Sequence, residues 1–294
     1  MSLKSDWRGG LYGAFAASIW GGMYVVSKVI LADIPPWPLI WLRYLIGSLA
    51  LIALALAKGV TWRIRPKDWF VVLAIALVGY VLSIGAQFVG TNWANAAWGS
   101  VLTASTPAFM VLFARPLLGE RLSWQKTLGL LVSTAGVWGI VGGASASGQF
   151  LLGGVILTGA AVSWALSSVL VKRLAPDTST LVATVYAIAI AEVVITPWAL
   201  PAMNAGVWHA LHQVGILAGV LYLGAISTAL AFYFWNRGLQ LTTAAVSGMV
   251  FFAQPVVGAV LGATLLGERL TVGFGVGSAA IMLGGFLVWH SHRP

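Results

Sequence analysis

Two ionisable residues, Arg43 and Glu192, lie inside long apolar stretches of the sequence. Charge within hydrocarbon is costly, so such residues are functional candidates by default. Arg43 can hold a carboxylate through two parallel hydrogen bonds, although it could equally extend toward headgroups or pair with Asp33. Glu192 has Thr196 one turn later and could hold an ammonium group, relay a proton or, when protonated, make a structural hydrogen bond. Both residues are therefore candidates for contact with a small charged ligand.

Aromatic and polar residues recur at helical spacing in two other stretches. They are Trp20, Tyr24 and Ser27 beside Lys28, and Trp164 and Ser168 followed by Lys172. Residues at i, i+4 and i+7 share one helix face, so each tryptophan could line a pocket. The alternative is a tryptophan at a helix–helix contact, and for both lysines we expect a side chain that extends to the headgroups.

Two further stretches carry polar stripes. One has Tyr80, Ser83 and Gln87 at i, i+3 and i+7, and the other has Tyr222, Ala229, Tyr233 and Asn236 along roughly one face. A polar group in hydrocarbon needs a partner, because an unsatisfied one costs several kcal/mol. These side chains therefore face either other helices or a water-accessible cavity, and as a set they favour the cavity.

Pro107 and Pro255 occupy matching places in a third pair of stretches. Trp98, Ser105 and Thr106 precede the first proline, and Ser247 and Gln254 precede the second. Proline removes a backbone donor and leaves carbonyls one turn earlier available to a neighbour or a ligand. The two prolines are candidate conformational hinges or else static kinks, and Trp98 and Gln254 are candidate binding residues.

Composition predicts the elements that must position these residues. Of the 294 residues, 60% are hydrophobic and 8% are charged. A soluble protein of this length could not bury so much apolar surface, so we predict an all-α polytopic membrane protein. The net charge of +9 would suit a nucleic acid, but the few charges lie between apolar blocks and indicate contact with lipid headgroups. Because the chain has no cysteine, disulfides and thiolate chemistry are excluded.

Breaks at charges, prolines and glycine-rich turns divide the chain into ten predicted transmembrane helices. The predicted spans are 10–31, 37–57, 69–89, 94–114, 124–142, 150–170, 180–199, 213–236, 243–264 and 272–289. A span needs about 17–25 mostly apolar residues. With a cytoplasmic N-terminus, thirteen of the 16 Lys and Arg residues lie on the cytoplasmic side, two lie outside and Arg43 lies within a span. This distribution predicts that both termini are cytoplasmic, and the first span reads as a retained helix.

The sequence repeats itself after about 145–148 residues. Pro107 is followed by eleven residues and then Gly119-Glu120-Arg121-Leu122, and Pro255 is followed by eleven residues and then Gly267-Glu268-Arg269-Leu270. Residues 1–147 and 148–294 thus form two repeats of five predicted helices each, and an odd number of helices inverts the second copy. Inverted repeats build carriers with a substrate site near the midplane, although a duplication can also pack without moving.

Ten spans in two five-helix halves and the twofold Pro-x11-Gly-Glu-Arg-Leu turn resemble the drug/metabolite transporter superfamily, EamA type. The resemblance covers nearly the whole chain, and within the superfamily the chain is similar to bacterial amino-acid exporters. It implies a carrier of the bacterial inner membrane that exports metabolites or drugs through a central cavity between the halves. It assigns no individual binding residue.

We therefore expect a carrier that exports small metabolites, chiefly amino acids including aromatic ones, by alternating access. Fifteen Trp and seven Tyr suit aromatic or cationic substrates, although membrane interfaces use many of them. The alternative is proton-coupled efflux of cationic drugs, for which only Glu192 could serve as the acid. A channel would need a continuous polar pore, and an enzyme would need converging acid, base or nucleophilic groups, which the scattered carboxylates do not provide.

No cofactor and no metal site are predicted. The sequence contains no P-loop for ATP, and His209 and His212 lack further partners for a metal ion. The expected partners are a small-molecule substrate and the lipid bilayer, with no nucleic acid. Gly-x3-Gly motifs indicate close helix packing and are compatible with a monomer or a weak homodimer.

Overall fold

The structure is a computed structural model that describes residues 7–119, 123–142, 148–175, 177–241, 250–251 and 253–290. Its helices in the first half are α1 (Trp7–Ile30), α2 (Pro36–Ala57), α3 (Pro66–Trp93), α4 (Ala96–Thr103), α5 (Thr106–Leu118) and α6 (Trp124–Gly142). Those in the second half are α7 (Gly148–Val171), α8 (Thr180–Ala199), α9 (Ala205–Leu211), α10 (Val214–Leu241), α11 (Ala253–Leu266) and α12 (Val272–His290). The described residues contain no β-strand.

The helices are long and apolar enough to cross a membrane in seven places within the described chain. Three shorter apolar helices lie within Thr127–Gly139, Ala253–Leu266 and Val272–Gly284. Large apolar side chains remain exposed on the outward faces, Phe70 for example at 78%, because lipid and not protein is their expected neighbour. The protein is a multi-pass helical membrane protein, and the count of ten spans stays a prediction.

The first helix of each half packs mainly on helices of the other half. Helix α1 packs most extensively on α10 and α11, and we call these three helices the first bundle. Helix α7 packs on α3, α4 and α5, and we call these four the second bundle. Helices α6 and α12 pack mainly against each other and contact α5 and α7 of the second bundle. The cavity between the two bundles is therefore lined by residues from both halves of the sequence.

The two ends of the molecule are named after the predicted topology. The outer end brings the end of α1 to the turn between α3 and α4, and here Lys28 contacts residues 91–94. The inner end brings the loop after α2 to the loop after α7, where Arg65 pairs with Asp177. Nearby, Thr178 Oγ1 donates to Asp68 Oδ2 at 2.5 Å.

Two π-helical segments interrupt α3 and α10 at matching positions. They are Ile75–Ser83 and Tyr222–Leu230, each of nine residues. A π-helix changes the backbone hydrogen-bond pattern and is frequent at functional sites. Both segments contain a carbonyl that accepts a side chain: Tyr44 Oη donates to Tyr80 O at 2.5 Å, and Trp20 Nε1 donates to Ser227 O at 3.0 Å. The segments thus tie their helices to neighbours close to the cavity.

The first predicted hinge lies at a break between two helices and not at a kink within one. Helix α4 ends at Thr103 and α5 begins at Thr106, so Pro107 is the second residue of α5. Proline is favoured in the first turn, where its missing N–H would have had no helical partner. Pro255 is the third residue of α11, and the residues 242–249 and 252 before it lie outside the described part of the chain. Whether either proline acts as a hinge stays a prediction.

Candidate functional site

A narrow central cavity of about 20 Å³ lies between the two bundles. This volume accommodates one water molecule. Six of the thirteen predicted binding residues line it: Trp20, Arg43, Ser83, Gln87, Trp164 and Gln254. The other lining residues are Met23, Ile84, Thr103, Thr106, Ala160, Phe232 and Phe251. A solute larger than water requires the bundles to move apart.

Arg43 of α2 is the charged residue of this lining, and its side chain is fully buried. Its Nε donates to Thr228 Oγ1 at 2.8 Å, and Thr228 lies in the π-helical segment of α10. Its Nη1 lies 3.5 Å from Met23 Sδ, and the guanidinium carbon lies 5.0 Å from the ring centre of Phe88. Among the described residues, its Nη2 has no hydrogen-bond partner and Arg43 makes no ion pair. A buried cation with an unused donor is costly, and a bound anion would relieve that cost.

Gln87 also lines the cavity and belongs to a polar network that joins four helices. Its Nε2 donates to Tyr24 Oη, and that hydroxyl lies 2.6 Å from Thr103 Oγ1. Gln254 Nε2 donates to the same Thr103 Oγ1 at 2.7 Å and to Ser100 O at 3.0 Å. The buried Oε1 of Gln87 has no hydrogen-bond partner within the described part of the chain. The network fixes Gln87 so that a hydrogen-bond acceptor remains available.

The two tryptophans that occupy equivalent places in the repeats meet at the cavity. Trp20 and Trp164 pack edge to face with ring centres 5.6 Å apart. Phe232 lies 5.8 Å from Trp20 and 5.6 Å from Trp164, and it stacks on Tyr80 at 5.1 Å. Edge-to-face and stacked rings are the favoured arrangements of aromatic side chains. The polar atoms of the cavity are therefore surrounded by an aromatic wall that both halves build.

The remaining seven predicted binding residues do not line this cavity. They are Tyr24, Tyr80, Trp98, Ser168, Glu192, Tyr222 and Tyr233. Tyr24 and Tyr80 are buried directly behind the lining and support it through the contacts given above. Ser168 is buried, and its hydroxyl has no hydrogen-bond partner in the part of the chain that the structure describes. Tyr222 Oη donates to Ile19 O at 2.9 Å and so serves as a contact between α10 and α1.

Three of these residues, Glu192, Trp98 and Tyr233, lie away from the central cavity. Helical spacing shows which residues share a face of a helix, but it does not show whether that face points to the cavity. Glu192 is half-buried against α2, where Ser48 Oγ donates to its Oε2 at 3.4 Å. Trp98 packs edge to face on Phe150 at 4.6 Å. Tyr233 lies near the inner end, where Lys58 Nζ is 5.4 Å from its ring centre. None of the three lines the central cavity in this arrangement, and their part in binding stays a prediction.

Hydrogen bonds close the outer end of the molecule, and a larger cavity lies at the inner end. Lys28 and Glu268 both hydrogen-bond to the backbone at the α3–α4 turn, so the ammonium of Lys28 does not extend to the headgroups as expected. At the inner end, a cavity of about 670 Å³ is lined by Lys172, Arg237 and Gln240, among others. The larger space shares no lining residue with the central cavity.

No group of three or more His, Cys, Asp or Glu residues that could hold a metal ion is found in the described part of the chain. His212 Nδ1 lies 2.8 Å from Trp208 O, which places it in a local helix contact. The lining of the central cavity offers one guanidinium, amides, hydroxyls and aromatic rings. These groups can donate and accept hydrogen bonds and stack against a ring.

The sequence did not indicate three features of the site. The π-helical segments were missed, because an apolar pattern with a period near 3.6 does not register a single inserted residue. The roles of Thr228 and Thr103 were missed, because single hydroxyl residues are common in membrane helices and carry no pattern. Phe232 was missed because it does not differ from the other apolar residues of its helix.

Comparison with known proteins gives two matches to one family within the chain. Residues 7–142 and residues 151–289 each match the model of the family described as "EamA-like transporter family". The two matched segments correspond to the two repeats recognised in the sequence.

Individual relatives agree with this match. A protein of Bacillus subtilis named "Uncharacterized transporter YetK" is 28% identical over 282 residues, which cover 94% of this chain and 84% of the relative. A protein of Streptantibioticus cattleyicolor named "Probable terminal-alkyne amino-acid exporter" is 30% identical over 244 residues, 80% of this chain and of the relative. A solved crystal structure aligns over 97% of both chains with a TM-score of 0.71 at 23% identity, a likeness that concerns the fold.

Proposed function

The chain belongs to the EamA-like transporter family, and from this membership we propose that it exports small metabolites, chiefly amino acids including aromatic ones, by alternating access. The family and the names of the relatives indicate a transporter and not an enzyme. The amino-acid specificity is supported by one relative that is named an amino-acid exporter and is 30% identical. It is supported further by the chemistry of the central cavity.

The observation that carries the proposal is a pair of unused polar atoms in one cavity. Arg43 Nη2 is a cationic donor without a partner, and Gln87 Oε1 is a neutral acceptor without a partner. The carboxylate of an amino acid suits the guanidinium, which can bind it through two parallel N–H groups once Met23 Sδ is displaced. The α-ammonium group suits the amide oxygen of Gln87. Each end of the amino acid would thus satisfy one buried atom.

The aromatic wall suits the side chain of such a substrate. The wall consists of Trp20, Trp164 and Phe232, whose ring centres lie within 6 Å of one another. The aromatic ring of a substrate could contact one of these rings in place of its present aromatic neighbour. Ser83 and Gln254 add hydrogen-bonding groups at the same cavity. We propose these residues together with Arg43 and Gln87 as the substrate-binding set, and Tyr24 and Tyr80 as the side chains that hold it in place.

Alternating access is supported by the difference between the two ends of the molecule. The outer end is closed by hydrogen bonds between the bundles, whereas the inner end holds the cavity of about 670 Å³ beside Lys172. The inverted repeats supply a second arrangement in which the two ends exchange their states. Pro107, at the break between α4 and α5, and Pro255 are the proposed hinges.

Efflux of cationic drugs is a weaker alternative. That activity needs an acidic group in the cavity that exchanges a proton for the cation, and the described lining contains Arg43 and no carboxylate. Glu192 faces α2 and cannot take that part in this arrangement. The positive charge of Arg43 would instead repel a cation.

The location and assembly follow from the same premise. We propose that the protein lies in a bacterial inner membrane with both termini cytoplasmic, because of the distribution of its Lys and Arg residues. Its partners are the solute and the lipid bilayer, and we propose a monomer or a weak homodimer.

The substrate class is tested by competition in proteoliposomes. Uptake of labelled phenylalanine is measured against unlabelled phenylalanine, phenethylamine, 3-phenylpropanoate and a cationic dye, with and without a pH gradient. Phenethylamine lacks the carboxylate and should compete about 30-fold or more weakly than phenylalanine, because the buried guanidinium would remain unpaired. If the dye or phenethylamine competes as well as phenylalanine, the proposed substrate class is wrong.

A further inference from the structure

The Gly-Glu-Arg-Leu turn of the second half takes no part in the proposed substrate site. From its contacts we infer that Glu268, together with Lys28, holds the outer end closed by capping the two helix ends that meet at the α3–α4 turn. Both are positioning residues, since neither lines the central cavity. The inference rests on the proposed alternating access.

The local backbone directs the side chain of Glu268 toward α4. Helix α11 ends at Leu266, and Gly267 adopts a left-handed conformation with φ of +64° that reverses the chain. Glu268 N then donates to Gly262 O at 3.2 Å, so the carboxylate lies over Gly262. A Cβ atom at Gly262 would come within 2.7 Å of Glu268 Oε2. The glycine therefore leaves the space through which the carboxylate reaches the next helix.

The carboxylate caps the N-terminus of α4. Ala96 N donates to Glu268 Oε1 and Ala97 N donates to Glu268 Oε2, each at 2.8 Å. The next amide, Trp98 N, donates to Asn95 Oδ1 at 2.8 Å. The first N–H groups of a helix have no partner inside it and carry partial positive charge, so a carboxylate there is stabilising. Glu268 thus supplies two of the three caps from a different helix.

Lys28 caps the opposite kind of helix end at the same turn. Its Nζ donates to Thr91 O at 3.1 Å, Asn92 O at 2.8 Å and Ala94 O at 2.9 Å, which are carbonyls at the C-terminus of α3. A cation is stabilising there for the reason that an anion is stabilising at an N-terminus. Lys28 lies on α1 and Glu268 follows α11, both in the first bundle, whereas the turn belongs to the second bundle. The five hydrogen bonds therefore hold the bundles together.

These hydrogen bonds hold helix α4, which lies between the central cavity and the outer end of the molecule. Its last residue, Thr103, lines the central cavity, and its first residues lie at the outer end. Ser100 is completely buried where α4 meets Gly258 of α11. An outer path to the cavity requires α4 to leave α1 and α11, and this motion breaks the contacts of Glu268 and Lys28. Loss of either side chain should therefore favour the outward-open state.

The chain contains no cysteine, so a single engineered cysteine reports this opening directly. Ser100→Cys places a thiol of similar size at the buried contact, and a membrane-impermeant maleimide is added from the outside. In the otherwise native chain, labelling should be slow. Adding Glu268→Gln should raise the labelling rate about 10-fold or more, because a neutral amide replaces two charge-assisted acceptors. The matched control Glu192→Gln makes the same chemical change away from the turn and should leave the rate unaltered.

A second pair of variants keeps the test decisive if Glu268→Gln does not fold. Lys28→Met should also raise the labelling rate of Ser100→Cys, whereas Lys58→Met at the inner end should not. Rapid labelling of Ser100→Cys alone, or an unaltered rate in both Glu268→Gln and Lys28→Met, would overturn the inference. Amino-acid uptake is measured on the same samples. Faster labelling without any amino-acid uptake would support the closure by Glu268 and reject the proposed substrate.

Discussion

Arg43→Met is expected to stabilise the protein while it removes transport. The change replaces a fully buried cation that has an unpaired Nη2 with an apolar side chain of similar length. Because methionine has a similar length and no charge, the Arg43→Met substitution distinguishes two roles for Arg43. If Arg43 mainly holds the helices together, the substitution should lower the stability of the protein. If Arg43 mainly binds a carboxylate, the substitution should raise the stability, because it removes a buried and unpaired charge.

The magnitude follows from the contacts of Arg43. The substitution removes one charge-assisted hydrogen bond, to Thr228, of about 1.5–3 kcal/mol, and a cation–π contact with Phe88 of about 0.5–2 kcal/mol. Thr228 Oγ1 keeps its own bond to Leu223 O at 2.8 Å and is not left unsatisfied. Against these losses stands the burial of an unpaired ion, of several kcal/mol, so the net gain is of the order of 1–3 kcal/mol.

The assay combines an apparent Tm in detergent with amino-acid uptake in proteoliposomes. A gain of about 1 kcal/mol corresponds to a rise in Tm of about 2 °C or more for a chain of this size. Uptake should fall about 30-fold or more. Arg65→Met is the matched control, because Arg65 is exposed in its pair with Asp177 and should alter stability by less than about 1 kcal/mol. A lower Tm with unaltered uptake would refute the reasoning and make Arg43 a structural contact.

Three further outcomes are expected. Gly99→Ala should destabilise the protein by about 1–3 kcal/mol, because the added Cβ would lie 2.5 Å from Tyr24 Cδ1. The measurement is a lower Tm, and an unaltered Tm would contradict the packing of α4 on α1. Glu192→Gln should leave the pH dependence of uptake unaltered, because Glu192 faces α2 and does not line the cavity, and a flattened pH profile would restore it as a proton relay. Topology reporters fused at Gly59 and Ala205 should lie on opposite sides of the membrane, and same-side signals would contradict the predicted orientation.

The sequence correctly predicted an all-helical, multi-pass membrane protein, because long apolar stretches carry that information directly, whereas the count of ten spans stays a prediction. It paired Trp20 with Trp164, and the structure brings the two rings together at the cavity. This pairing was accessible to the sequence because the repeat identifies equivalent positions in the two halves.

Other features depend on packing that a single sequence does not record. Glu192 was expected at the site because a charge in a membrane helix is rare, but rarity does not reveal which side of the helix faces the cavity. Lys28 was expected at the headgroups, and its carbonyl partners belong to a turn more than sixty residues later. The rotation of each helix and the meeting of distant turns are set by side-chain contacts between helices, and these follow only from the assembled structure.

Counterflow of phenylalanine in proteoliposomes is the most direct test of a carrier with alternating access. Vesicles loaded with unlabelled phenylalanine are diluted into a trace of labelled phenylalanine, and the label inside is followed over time. A carrier produces a transient accumulation of label above its equilibrium level, because unlabelled substrate returns the empty site to the other side. Label that rises only to equilibrium, at a rate independent of the internal substrate, would contradict alternating access and indicate a channel.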